Sequence, residues 1–109
     1  MNLLCENCPR PTAGSGEVLV EIHANAMNRG DLAMLGTPVA MGGPSLEGMI
    51  PLTDGAGEVV AVGAGVTEYS VGDRVVGTYF IDWEDDSLPP LFPTGRVRGA
   101  SPDGMLSEV

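Results

Sequence analysis

Glycine and proline divide this chain into short segments, and this pattern restricts its fold more than any other feature. The sequence has 16 glycines and 9 prolines among 109 residues, and it shows no helical pattern of ten or more residues. Such a share of glycine and proline is typical of disorder where apolar content is low. Here 43% of the residues are apolar, so an aliphatic core can form around short elements. We therefore predict a single folded domain over residues 1–109, with an all-β (mainly β) fold.

Three segments, and the beginning of a fourth, have the residue pattern of β-strands. Residues 17–24 alternate between two faces, which predicts a half-buried strand. Residues 54–62 are apolar after two glycines near their start, where a bend or a close backbone approach is possible. Residues 74–81 are rich in β-branched and aromatic types, and residues 104–109 begin to look like a further strand.

One short helical turn is predicted between the first two strands. Asn28 is a good N-cap, Asp31 would lie in the first turn, and Gly36 would end a helix over residues 28–35. Irregular structure is expected for the lead-in, residues 1–16, and for loops over residues 36–52 and 82–103.

The charge of the chain excludes several classes of partner. With 5 basic and 15 acidic residues, the net charge is −10. An acidic surface repels phosphate, so we expect neither nucleic-acid binding nor attachment to an anionic membrane surface. No stretch of 18 apolar residues is present, which excludes a transmembrane helix. No export signal is recognisable, and we therefore expect a cytoplasmic location.

Two cysteines form a Cys-x-x-Cys pair near the N-terminus. Cys5 and Cys8 are half of a typical zinc site, and the sequence has a single histidine, His23, to add to them. A thioredoxin-like motif would stand between a strand and a helix, whereas this pair is followed by Pro9 and Pro11. We interpret the pair as two reduced cysteines in an irregular segment.

Motifs for catalysis are weak when each is taken alone. The two Gly-x-Gly pairs, at residues 55–57 and 63–65, do not complete a dinucleotide-binding fingerprint, and neither opens a helix. Acid–base chemistry would depend on carboxylates such as Asp31 and Asp54. Most such carboxylates are solvated or cap a helix, so these two residues are no more than candidates.

Five motifs taken together are far more specific. They are GEVLVEIHA at 16–24, MNRGDL at 27–32, DGAGEVVAVG at 54–63, VGDRVVG at 71–77 and DGMLSE at 103–108. In this order they resemble the medium-chain dehydrogenase/reductase superfamily, and in particular its zinc-independent quinone oxidoreductase and alcohol dehydrogenase-like branch. The resemblance covers about residues 9–109.

The resemblance implies a fold and a place in a larger enzyme. It indicates the GroES-like N-terminal domain, a partly open β-barrel with long loops that forms one wall of the substrate cleft. In full-length relatives a Rossmann domain follows and binds NADP or NAD. The present sequence has no such domain, so we expect a truncated form that binds no cofactor itself.

The same resemblance indicates that the cleft holds no metal. In the zinc-dependent branch a ligand Cys stands at the position of Asn28, and a His-Glu pair stands at the positions of Thr53 and Asp54. An amide and a hydroxyl are poor zinc ligands beside thiolate and imidazole. The four-Cys zinc loop is also missing from residues 82–103. We expect Asn28, Asp31, Thr53 and Asp54 to line the substrate cleft, with no catalytic, cofactor-binding or metal residue assigned.

Two functions remain open at this point. The chain is either the substrate-side domain of an oxidoreductase, working with a separate Rossmann-domain partner, or a non-catalytic β-barrel that acts as a binding or assembly module or is a gene remnant. We favour an origin of the chain in this oxidoreductase family. For the activity of the chain alone we favour the second function, because hydride transfer needs a nicotinamide site. We also expect a homo-oligomer, formed through apolar residues left uncovered near the two ends, namely Leu3, Leu4, Met105 and Leu106.

Overall fold

A computed structural model describes residues 3–36, 47–81, 83, 98 and 103–109. The described elements are β1 (Val18–Ala26), α1 (Arg29–Gly36), β2 (Asp54–Val62) and β3 (Arg74–Val76). The strands form one antiparallel sheet in the order β1-β2-β3. The fold is therefore mainly β, as the sequence predicts.

Strands β1 and β2 pair along their full lengths. Val18 lies opposite Val62 at one end of the ladder, and Ala26 lies opposite Asp54 at the other. A register shift between Ile22 and Ala24 leaves an extra residue in β1, which is typical of a β-bulge. The ladder therefore brings the end of β1 and the beginning of β2 to the same end of the sheet.

Three of the predicted elements agree closely with the structure. Strand β2 has the predicted bounds, and β1 is displaced by only one or two residues at its ends. The helix is also confirmed, because α1 begins directly after Asn28 and ends at Gly36. The described part of the lead-in, residues 3–16, has no helix or strand, as expected. Of the predicted loops, residues 37–46, 82, 84–97 and 99–102 lie outside the described residues.

The third strand is shorter than predicted. Residues 74–81 are expected as a strand, but β3 ends at Val76. A side chain at Gly77 would collide with the sulfur of Met105, which packs over this position. Beyond it, the rings of Tyr79 and Phe80 pack edge to face, with centroids 4.8 Å apart. Successive side chains of a strand point to opposite faces, so this ring contact is incompatible with a continued strand.

The prediction of a strand over residues 104–109 is wrong. Three successive amides of this segment donate to a neighbouring loop: Gly104 N to Ile50 O (2.6 Å), Met105 N to Leu52 O (2.9 Å) and Leu106 N to Pro51 O (3.1 Å). In a strand, successive amides point to opposite sides, so a ladder on one neighbour uses alternate residues. The segment is therefore not a strand but is hydrogen-bonded across the loop before β2, and we call residues 104–109 the clasp.

The core of the described region is small. Val59 in β2 is 0% exposed, Leu52 is 5% exposed and Met105 is 9% exposed. Met105 is thus not part of an uncovered apolar end, contrary to expectation, because its side chain packs against the glycines at 55 and 77. Leu3, Leu4 and Leu106 are exposed. Among the described residues, no helix has the length and apolar character that a membrane crossing requires.

Candidate functional site

The four predicted cleft residues lie at the end of the sheet where β1 ends and β2 begins. Asn28 stands between β1 and α1, and Asp31 lies in the first turn of α1. Thr53 directly precedes β2, and Asp54 is its first residue, opposite Ala26. The antiparallel pairing therefore brings together residues about 26 positions apart in the sequence.

A short hydrogen bond joins two of these side chains. Asn28 Nδ2 donates to Asp54 Oδ2 over 2.7 Å. Because a carboxylate oxygen only accepts, the NH₂ group of the amide must face Asp54, which fixes the orientation of the amide. Thr53 Oγ1 lies 3.5 Å from Asp54 Oδ1, at the outer limit of a hydrogen bond. Asn28, Thr53 and Asp54 thus form one polar cluster, which we call the cleft cluster.

The side chain of Asp31 holds the main chain at Asn28, one of the residues of the cleft cluster. Asp31 is 7% exposed, and its Oδ2 accepts the backbone N–H of Asn28 over 2.7 Å. In return, the backbone N–H of Asp31 donates to Asn28 O over 3.1 Å. The side-chain contact, from the third helical residue back to the N-cap, is half of a capping box, with Asp in the usual place of Glu. A contact between Asp31 and a substrate stays a prediction.

Asn25 belongs to the same network, although the sequence analysis does not select it. Its Nδ2 donates to Met105 O over 2.7 Å and to Asp54 O over 3.3 Å. Both acceptors are main-chain carbonyls, so one amide ties β1 to the first residue of β2 and to the clasp. Asn is depleted in strands, and its place in β1 is the signal that could have identified it.

The residue before the cluster has a strained backbone. Leu52 has a φ of +71°, the left-handed region that non-glycine residues rarely adopt, and its side chain is buried. Its carbonyl accepts the N–H of Met105, so the clasp holds this conformation. Strain of this kind persists where the surroundings impose it and is frequent at functional sites. Leu52 therefore sets the direction in which the chain enters Thr53 and Asp54.

The donors present in the cleft cluster are not those of a zinc site. Zinc in proteins is held by thiolate, imidazole and carboxylate groups, and the cluster supplies one carboxylate beside an amide and a hydroxyl. Across the described ranges, no group of three or more His, Cys, Asp or Glu residues is placed to hold a metal. Cys5 and Cys8 are free and exposed.

This architecture defines a class of domain. The chain is similar to a crystal structure from Sinorhizobium meliloti 1021 that is assigned as an alcohol dehydrogenase, with a TM-score of 0.79 and 34% identity. The match covers 92% of this chain and 29% of that protein. The fold is the all-β fold of a GroES-like domain.

The family follows from the sequence match. The model of the alcohol dehydrogenase GroES-like domain matches residues 14–108. The protein belongs to this family, within the medium-chain dehydrogenase/reductase superfamily that its motifs resemble.

Curated relatives include a dehydrogenase of Aspergillus niger, 43% identical over 81 residues, and a chloroplastic quinone oxidoreductase of Triphysaria versicolor, 40% identical over 68 residues. These matches cover 70% and 62% of the chain, respectively. The chain spans about a fifth of the length of these relatives, 22% and 21%.

Proposed function

We propose that the chain is the substrate-side domain of a zinc-independent, NAD(P)-dependent oxidoreductase that acts on a carbonyl or quinone substrate. The similarity to a dehydrogenase and a quinone oxidoreductase supports this reaction class. A nucleotide-binding domain outside these 109 residues would bind the reduced nicotinamide that supplies the hydride. The isolated chain is then a binding domain without catalytic activity of its own.

The bond between Asn28 and Asp54 carries the proposal. In hydride transfer to a carbonyl, the oxygen gains negative charge, and a fixed hydrogen-bond donor stabilises that charge. One proton of the Asn28 amide is held by Asp54. Asn28 is exposed, and the second amide proton has no acceptor among the described residues, so it is available to a substrate oxygen. The same bond fixes the donor before substrate arrives, which lowers the cost of ordering it.

The two other residues of the cleft cluster have different roles in this proposal. The Asp54 carboxylate would repel an oxygen that becomes negative, so it acts as a positioning residue that orients the Asn28 amide. Thr53 is half-buried, and its single hydroxyl proton is directed at Asp54 Oδ1 over 3.5 Å, so Thr53 helps to hold the Asp54 carboxylate in place. Asp31 acts through the backbone of Asn28.

The described residues do not fit a nicotinamide cofactor. Dinucleotide sites use a strand–helix–strand unit with parallel strands and a glycine-rich turn at the helix N-terminus. Here β1 and β2, on either side of α1, are antiparallel, and the turn into α1 has the sequence Met-Asn-Arg-Gly. No step of the reaction is therefore assigned to a cofactor bound by this region.

A titration with a simple ketone tests the proposal. In ¹H–¹⁵N spectra, cyclohexanone should shift the side-chain amide signals of Asn28 and the backbone signals of Thr53 and Asp54. Asn28→Ala should abolish the response, whereas Asn7→Ala, an exposed Asn on the lead-in, should leave it intact. Reduced NADP added alone should shift nothing. A ketone response that survives Asn28→Ala, or none near the cleft cluster, would contradict the proposal.

A second candidate function, a binding or assembly module, is favoured by the exposed apolar residues Leu3, Leu4 and Leu106. In this case the chain associates with a second copy or with a separate nucleotide-binding chain. This second function makes no use of the cleft cluster.

A further inference from the structure

The Cys-x-x-Cys pair has no part in the function proposed above. Cys5 and Cys8 are both free thiols, and both are exposed. They lie in the lead-in, where residues 3–13 form neither helix nor strand. Within the described part of the chain, residues 5–8 make no hydrogen bond. The two thiols are thus reachable from solvent, and no contact holds the four residues in one conformation.

The geometry of a disulfide is accessible to these four residues. Cysteines three positions apart are about 10 Å apart in a fully extended chain, whereas a disulfide needs Cα atoms about 4.4–6.8 Å apart. The segment must therefore bend at Glu6 and Asn7. Asn is one of the residues favoured in turns. Because residues 5–8 make no hydrogen bond and bury no side chain, the bend removes no contact of the folded state.

A metal site built by the same pair is less well supported. A tetrahedral zinc site needs four ligands, and the pair provides two. In the described ranges no third His, Cys, Asp or Glu joins the two thiols in a metal-binding group. A disulfide, in contrast, needs no residue beyond Cys5 and Cys8.

We propose that Cys5 and Cys8 are a reversible dithiol–disulfide site that reacts with small disulfides such as oxidised glutathione. A thiolate of one cysteine attacks the small disulfide, forms a mixed disulfide and releases one glutathione thiolate. The thiolate of the other cysteine then attacks the protein sulfur of the mixed disulfide. This step closes the Cys5–Cys8 bond and releases the second glutathione thiolate. Two protein thiols are oxidised, one glutathione disulfide is reduced to two thiols, and these take up the two protons.

Ring closure should outcompete links between chains. A partner held on a short flexible segment has an effective concentration in the millimolar range. At about 20 μM protein, closure within one chain is thus favoured about fifty-fold over a bond to a second chain. The product expected is a monomeric chain with an internal disulfide.

Mass spectrometry after alkylation tests this inference. The chain is equilibrated in buffers with increasing ratios of oxidised to reduced glutathione, quenched with acid and treated with N-ethylmaleimide. The reduced chain should gain two maleimides. The oxidised chain should gain none and be lighter by two hydrogens. Cys5→Ser is the matched control, and it should stop at a single glutathione adduct because no second thiol is present.

Several outcomes would overturn the inference. Glutathione adducts as the main oxidised product of the unmodified chain would show that the ring does not close. Disulfide-linked dimers at this concentration would show that the thiols meet between chains. Zinc bound at one ion per two reduced chains, with both thiols protected from oxidation, would replace the disulfide with a metal site. Persistence of both thiols in fully oxidising buffer would show that the pair is unreactive.

Discussion

The side-chain amide of Asn25 holds the main chain of Met105, 80 residues further along the sequence. The two atoms, Asn25 Nδ2 and Met105 O, are 2.7 Å apart, and the same nitrogen lies 3.3 Å from Asp54 O. One side chain thus fastens the clasp to the sheet beside the cleft cluster. The position of Asp54 depends on this contact as well as on the β1–β2 ladder.

Asn25→Asp tests this fastening with almost no change of shape. The substitution replaces the NH₂ donor with an oxygen, which then faces two carbonyl oxygens. We expect a loss of about 2 kcal/mol in the free energy of unfolding, measured by urea denaturation. Asn7→Asp makes the same chemical change on the exposed lead-in and should alter stability by less than about 0.5 kcal/mol. Equal effects of the two variants would contradict the role of Asn25.

Gly57 allows β1 and β2 to approach each other. A Cβ at this position would collide with the carbonyl oxygen of Glu21 and crowd the main chain of Ile22. We expect Gly57→Ala to destabilise the domain by about 3 kcal/mol or to prevent folding. Gly30→Ala is the matched control, since a Cβ there meets nothing within 4 Å.

Because Gly30 lies in α1, its replacement should stabilise the protein by about 0.5 kcal/mol through the lower entropy of the unfolded chain. Thermal unfolding followed by circular dichroism measures both variants. A Gly57→Ala protein as stable as Gly30→Ala would show that the strands are not this close.

The strain at Leu52 predicts an unusual order of stabilities. Leu52→Ala removes a buried side chain and keeps the left-handed backbone, so it should cost about 2 kcal/mol or more. Leu52→Gly removes slightly more side chain, yet glycine adopts this backbone without strain. We expect the Gly variant to be more stable than the Ala variant by about 1 kcal/mol in urea denaturation. The reverse order would mean that the backbone at this position is not left-handed.

Self-association of the chain is a further prediction. Leu3, Leu4 and Leu106 are exposed, and their burial between two copies would stabilise a dimer. The net charge of −10 opposes this contact. Salt reduces the range of that repulsion from about 30 Å at 0.01 M to about 10 Å at 0.1 M.

Light scattering should therefore show a larger dimer fraction at the higher salt concentration. The double variant Leu3→Ser, Leu4→Ser should shift the equilibrium towards the monomer. A strict monomer at about 100 μM in both salts would refute the association.

Local features of the sequence predict those elements that depend on local chemistry. Strand β2 has its predicted bounds, and its second half carries the β-branched residues Val59, Val60 and Val62, which favour a strand. Helix α1 has its predicted beginning because Asn28 and Asp31 satisfy its first amides through contacts three residues apart. The cleft cluster could be predicted only through the family resemblance. This resemblance places Asn28, Thr53 and Asp54 at the zinc-ligand positions of the zinc-dependent branch.

The features that sequence analysis missed depend on contacts between distant residues. Asn25 acts on Met105, and Met105 in turn covers Gly55 and Gly77. The left-handed backbone of Leu52 is held by the clasp. Hydrophobic periodicity carries no information about such pairs, because each residue alone is compatible with a strand, a turn or a loop.

Installing a metal site tests most directly whether Asn28, Thr53 and Asp54 share one cleft. The double variant Asn28→Cys, Thr53→His places a thiolate and an imidazole beside the existing Asp54 carboxylate, a complete set for zinc with water as fourth ligand. The background carries Cys5→Ser and Cys8→Ser, so that the exposed thiols cannot compete, and Asn28→Cys alone in this background is the control. Elemental analysis after dialysis should find one zinc per chain in the double variant and none in the background. A double variant that is folded and binds no more zinc than the control would contradict the shared cleft.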